Sequence, residues 1–155
     1  MDTVLLTILL LATCVWVGGY VAIIVVARAA TATLDPAARV AFFRSLGRSY
    51  FLVGTPALVV ALVVGAVLLR DVEQDGTVVA AYVVAAVLVL AFAVAVRQAR
   101  RMTVLRRDLI ASPADANLTE RVRAGARSAG LLRALLGVLS IALVVLGAVI
   151  GRSAA

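Results

Sequence analysis

Residues 3–27 read TVLLTILLLATCVWVGGYVAIIVVA, 25 consecutive positions without a charge. An α-helix needs roughly 20 such residues to cross a hydrocarbon core of about 30 Å, so this stretch is long enough to span a bilayer. Three further uncharged runs follow at residues 49–69, 76–96 and 134–151, with 21, 21 and 18 residues. A lone strand would leave its backbone amides unpaired in lipid, and the alternation of a β-barrel is missing, so each run reads as a helix. The expected fold is all-α: a polytopic membrane protein with four transmembrane helices, arranged as two hairpins in a single domain over residues 1–155.

Composition agrees. The 155 residues are 65% hydrophobic and 15% charged, with mean hydropathy +1.15, far too apolar for a soluble domain that must wet its outside and equally unlike a disordered chain. The inventory also removes several chemistries. Histidine is absent, Cys14 is the one cysteine and all 15 cationic residues are Arg. Imidazole bases, intrachain disulfides, CxxC sites and Schiff-base lysines are thereby excluded. Met1 and Met102 are too few and too far apart for a thioether copper relay. Cys14 itself reads as a small packing residue, since a thiol in hydrocarbon stays protonated.

Ala30-Thr31-Ala32 imitates a signal cleavage site. Only Asp2 precedes the first run, however, and its uncharged length exceeds the roughly 7 to 15 residues of a signal core, so a permanent helix is expected. Charge between the runs indicates orientation. Arg28, Arg39, Arg44 and Arg48 against Asp35 make the first connection +3; Arg70 against Asp71, Glu73 and Asp75 makes the second −2; nine Arg against Asp108, Asp115 and Glu120 make the third +6. The positive-inside rule places the first and third connections in the cytoplasm and both termini outside. An Arg-only, Ala- and Val-rich chain of this kind is expected in a bacterial inner membrane.

The connections carry helix signals of their own. Asp35-Pro36 is an N-cap followed by proline at the first helical position, opening a helix over 37–48 that runs into the second span. The third helix is expected to continue to Ile110, with Met102, Leu105 and Leu109 as an apolar stripe. Ser112-Pro113 interrupts it, and Leu118, Val122 and Ala129 repeat the stripe on the returning helix. Residues 97–133 therefore read as a cytoplasmic helical hairpin. A second symmetry is visible in residues 60–70 and 141–152, where similar Ala-Leu-Val-Val segments each end in Arg, the pattern of a 2+2 parallel repeat.

Trp16-Val17-Gly18-Gly19, the link 34–39, Gly47-Arg48 and Gly54-Thr55-Pro56 together resemble the CopD-like copper-resistance membrane proteins, including small four-helix relatives. The resemblance implies an integral inner-membrane protein with a link to metal import. The chain departs from it in lacking the His and Met side chains of a copper path.

Polar residues inside the spans suggest a site. Thr13, Trp16 and Tyr20 share one face of the first helix, beside Gly18 and Gly19, which permit close approach. Pro56 removes a backbone donor and frees the Leu52 carbonyl, while Gly54 loosens the same turn. Counted from the cytoplasmic ends, Tyr20, Thr55 and Ser140 lie at similar depth, about 10 Å in. A small polar pocket lined by Trp16, Tyr20, Thr55, Pro56 and Ser140 follows as the candidate ligand site. Its hydroxyls and indole supply no acid, base or strong nucleophile, so no catalytic residue, metal ligand or cofactor is named. Helix packing is assigned to Gly18, Gly19, Gly54, Gly147 and Gly151, the last two forming a GxxxG. Arg100, Arg101, Arg106 and Arg107 are topology signals and candidates for anionic lipid. No aromatic residues interleave with them, which argues against nucleic acid.

Three readings of function remain. Foremost is permeation or transport of a small solute by a homo-oligomer. Next is a structural or assembly subunit docking a larger membrane complex or anionic lipid, and third a cofactor-dependent membrane enzyme. Without intramembrane carboxylates, proton coupling is disfavoured and a non-enzymatic role is preferred.

Overall fold

The computed structural model describes residues 3–111 and 116–153. It is all-helical over these residues: α1 (Thr3–Thr33), α2 (Pro36–Leu69), α3 (Gly76–Ala111) and α4 (Ala116–Ser153). Each helix contains a stretch long and apolar enough to cross a membrane. The uncharged runs thus each lie within one helix, toward one of its ends, and every helix extends past its run into charged sequence. α1 continues beyond Arg28 to Thr33, where Thr31 and Thr33 hydroxyls donate to the Ala27 and Ala29 carbonyls at 2.7 and 2.8 Å. Only Leu34 and Asp35 separate it from α2.

Helix starts follow the capping chemistry. Asp35 Oδ1 accepts from the Ala38 amide at 3.0 Å, so the Asp-Pro signal opens α2 as expected. α2 then passes without interruption through Pro56. Asp75 caps α3 more fully, accepting from the Thr77 and Val78 amides, each at 2.9 Å. Its charge had counted only toward topology. At the other side of this turn the Gln74 amide donates to the Leu69 and Val72 carbonyls at 3.3 Å, covering the end of α2.

The chain divides into two compact units, Met1–Val78 with Ile150–Ala155, and Val79–Val149. In the first, α1 and α2 pack antiparallel. Leu9 Cδ1 lies 3.8 Å from where a Cβ on Gly65 would stand, and at the opposite end Gly19 faces the Tyr50 ring. The contact line on α1 is Ala12, Trp16 and Gly19, and on α2 it is Tyr50, Gly54 and Leu58, spaced by three and four as helical packing requires.

In the second unit, α3 and α4 are joined beyond the uncharged runs. The Gln98 amide donates to the Gly125 carbonyl at 3.2 Å and to the Ser128 hydroxyl. Met102 is buried, with its sulfur over Gly125. The seam expected between the two stripes is therefore present at Met102, with Leu105, Leu118, Val122 and Ala129 half-buried. Gly125 is the position on α4 between Val122 and Ala129 that a reading of apolar side chains passes over. The Leu109 side chain and the Ser112-Pro113 break lie outside the described residues.

Most apolar surface points outward. Between 11 and 22% of the most apolar stretch of each helix is buried within the chain, and Leu52, Leu90 and Leu131 are more than two-thirds exposed. Cys14 is exposed as well, contrary to a packing role. Its neighbours on α1, Val15 and Leu11, share the same outward exposure. A soluble protein could not present such surface without aggregating, whereas lipid or further helices cover it at no hydration cost.

Candidate functional site

The polar residues of α1 meet an aromatic residue of α2. Trp16 and Tyr20 are one turn apart, with ring centroids 5.2 Å apart and planes at 73°. Tyr50 enters from α2, stacked on Trp16 at 6.1 Å and 26° and edge-on to Tyr20 at 5.9 Å and 83°. These separations and angles fall within the favourable range for aromatic pairs. The Tyr50 hydroxyl donates to the Trp16 carbonyl at 2.9 Å.

Two glycines make this possible. A Cβ on Gly19 would collide with the Tyr50 ring, and one on Gly54 would stand 3.1 Å from Tyr50 Cζ. The ring therefore lies in a slot with no side chain on either wall. Gly19 has the close-approach role expected of it. Gly54, expected both to loosen a turn and to serve helix packing, seats the ring of the residue one turn before it. Gly18, Gly147 and Gly151 have open space where a Cβ would stand.

The pocket residues are only partly brought together. Trp16 and Tyr20 lie in the cluster, but Tyr50, absent from the expected set, occupies the space between them and α2. Thr55 is on α2, its Oγ1 buried and without a hydrogen-bond partner among the described residues. Pro56 is exposed beside it, and having no N–H it leaves the Leu52 carbonyl without its helical donor. Ser140 belongs to the other compact unit, where it is buried and donates to the Leu136 carbonyl of its own helix at 2.7 Å.

No family model, curated protein or solved structure matches this chain. The site is accordingly read from its own chemistry. Among the described residues no group of three His, Cys, Asp or Glu is placed to hold a metal ion. The cluster offers aromatic faces, one committed phenol hydroxyl and, further along α2, one unpartnered hydroxyl. Such groups can pack, or hold a small uncharged molecule by weak hydrogen bonds.

A second polar region lies on α3 and α4. Arg100 and Arg101 are exposed there, and the side chains of Arg106 and Arg107 lie outside the described residues. Arg97, Arg101 and Arg121 border a groove of about 500 Å³ between the two helices, with Gln98 and Ser128 on its walls. Of these, only Arg101 was expected as a ligand candidate. The clue to the other two was positional: Arg97 is the first charge after the uncharged run 76–96.

Proposed function

We propose that this chain is a small non-enzymatic subunit of a membrane assembly, built with further copies of itself or with other membrane helices. The observation that carries this reading is that the Tyr50 ring packs on Trp16 and Tyr20 and its hydroxyl donates to the Trp16 carbonyl, so these residues of α1 serve to hold α1 to α2. What remains for function is the outer surface. That surface is apolar along all four helices, with Gly18, Gly147 and Gly151 open to close approach by a neighbouring helix.

Charge supports the placement: the +3, −2 and +6 connections favour cytoplasmic first and third connections, external termini and two hairpins in a bacterial inner membrane. The CopD-like resemblance is compatible with that placement. Copper is not proposed as cargo, because the chain has no histidine, one cysteine and two methionines.

The mass of the protein released from nanodiscs made with native lipid tests the reading. A discrete oligomer or complex is expected, weakened by Gly147→Leu with Gly151→Leu. A monomer at every concentration overturns it.

Permeation of a small uncharged solute by the same oligomer is the second reading, favoured by the unpartnered Thr55 hydroxyl beside the Leu52 carbonyl that Pro56 releases. Solute-induced swelling of proteoliposomes, lost in Thr55→Val, is its expected signature.

A further inference from the structure

The groove between α3 and α4 joins Arg101 to two further arginines, Arg97 and Arg121. Arg97 and Arg101 are one turn apart on α3, so their guanidinium groups share a face, and Arg121 adds a third cation from α4. Among the described residues no Asp or Glu lines the groove. Three like charges bordering one groove repel one another, and an anion placed among them relieves that repulsion. The walls are held at a set spacing by Gln98, whose amide bridges to Gly125 and Ser128. The Ser128 hydroxyl in turn donates to the Gly125 carbonyl at 3.1 Å, so the clamp is tied to the α4 backbone.

We propose that this groove binds the phosphate of an anionic phospholipid. Guanidinium forks match phosphate oxygens two at a time, which accounts for the arginines. Position along the helix favours a lipid over a soluble anion. Arg97 immediately follows the uncharged run 76–96, at the level where a spanning helix meets headgroups, and Val94, one turn earlier, carries the groove into the apolar stretch. Met102 supplies a further apolar wall. A zwitterionic lipid is disfavoured because its headgroup cation would face three arginines. The inference extends the lipid-facing part of the proposed function and does not depend on assembly, since every group belongs to one chain.

Titration of the full-length protein in detergent with phosphatidylglycerol, read as lipid retained on the monomer by native mass spectrometry, tests it. Arg97→Gln, Arg101→Gln and Arg121→Gln combined should weaken phosphatidylglycerol by about tenfold more than Arg28→Gln, Arg39→Gln and Arg44→Gln, which remove the same charge outside the groove. Equal losses in the two triples, or equal affinity for phosphatidylcholine, would overturn the proposal. Inorganic phosphate should fail to displace the lipid at roughly millimolar concentration; displacement there would assign the groove to a free anion instead. Should the groove triple not fold, judged by helicity and Trp16 emission, Arg101→Gln alone should cost about threefold against no change for Arg44→Gln, and equal values for these two would likewise overturn it. Lipid retention is scored on the monomer peak, so failure to assemble and failure to bind lipid are separate results.

Discussion

The Tyr50 hydroxyl donates to the Trp16 carbonyl at 2.9 Å, a bond between residues 34 apart in the chain that ties α2 to α1. A phenol buried among apolar helices needs an acceptor, and in lipid the backbone is often the nearest one. The bond fixes Tyr50 against Trp16 while Gly19 and Gly54 leave room for its ring. Removing the hydroxyl and filling the slot are therefore separable perturbations.

Tyr50→Phe should lower stability by about 0.5 to 1.5 kcal/mol, the usual net value of such a bond. Gly19→Ala should cost more, about 1 to 3 kcal/mol, because its methyl meets the ring. Gly18→Ala has open space and serves as the control. Unfolding in mixed micelles measures all three, and equal effects at Gly18 and Gly19 would show that the slot is not formed.

Asp75 accepts from two amides at the start of α3 and Asp35 from one at the start of α2. Asp75→Ala and Asp35→Ala should each destabilise by roughly 0.5 to 2 kcal/mol, with the larger effect at Asp75. Hydrogen exchange localises the change: protection at Thr77 and Val78 should fall in the first variant while Ala38 is unaffected.

Glycines on α4 provide an internal comparison. A Cβ on Gly125 would run into the Met102 sulfur, whereas Gly130 has open space around it. Gly130→Ala should stabilise by about 0.8 to 1 kcal/mol through helix propensity alone. Gly125→Ala should gain nothing or lose stability, and Met102→Ala combined with it should recover the propensity gain relative to Met102→Ala alone. Identical shifts for the two glycines in thermal unfolding would mean that Met102 does not sit there.

The four helices were legible because uncharged length is a direct requirement of a bilayer, and the start of α2 because Asp-Pro carries capping chemistry, whereas the Asp75 cap of α3 was read only as a charge. Tyr50 was not legible as a site residue. It is the second residue of the run 49–69 and reads as a boundary aromatic, although Tyr50, Gly54 and Leu58 at intervals of four are the trace of a packed face. Gly125 was missed for a related reason, since counting apolar side chains skips a residue that has none. The Ser140 bond to the Leu136 carbonyl of its own helix is a detail that counting depth does not give. Position along an axis follows from residue number, but each residue also turns by about 100°, and the direction a hydroxyl takes depends on packing that depth does not encode.

The proposed orientation rests on the connection charges. In a Cys14→Ala background, Gln74→Cys should react with an impermeant maleimide added outside intact cells, and Asn117→Cys only after permeabilisation. Gln74 lies in the −2 connection and Asn117 in the +6 connection. The reverse pattern would invert the protein and place the arginine groove in the outer leaflet.

Thr55 separates the two functional readings most directly. Its Oγ1 is buried and has no hydrogen-bond partner among the described residues. An unsatisfied buried hydroxyl costs about 1 to 3 kcal/mol, and valine has the same shape without the oxygen. If the hydroxyl serves nothing, Thr55→Val should raise stability by on the order of 1 kcal/mol and leave every transport assay unchanged. If it holds a permeating solute, the same substitution should again stabilise the empty protein but slow solute flux, and Thr55→Ser, which restores the oxygen, should recover the flux. Stability and flux measured on the same three proteins distinguish the cases. A loss of stability in Thr55→Val would contradict both, because it would mean that the hydroxyl is already satisfied within the folded chain.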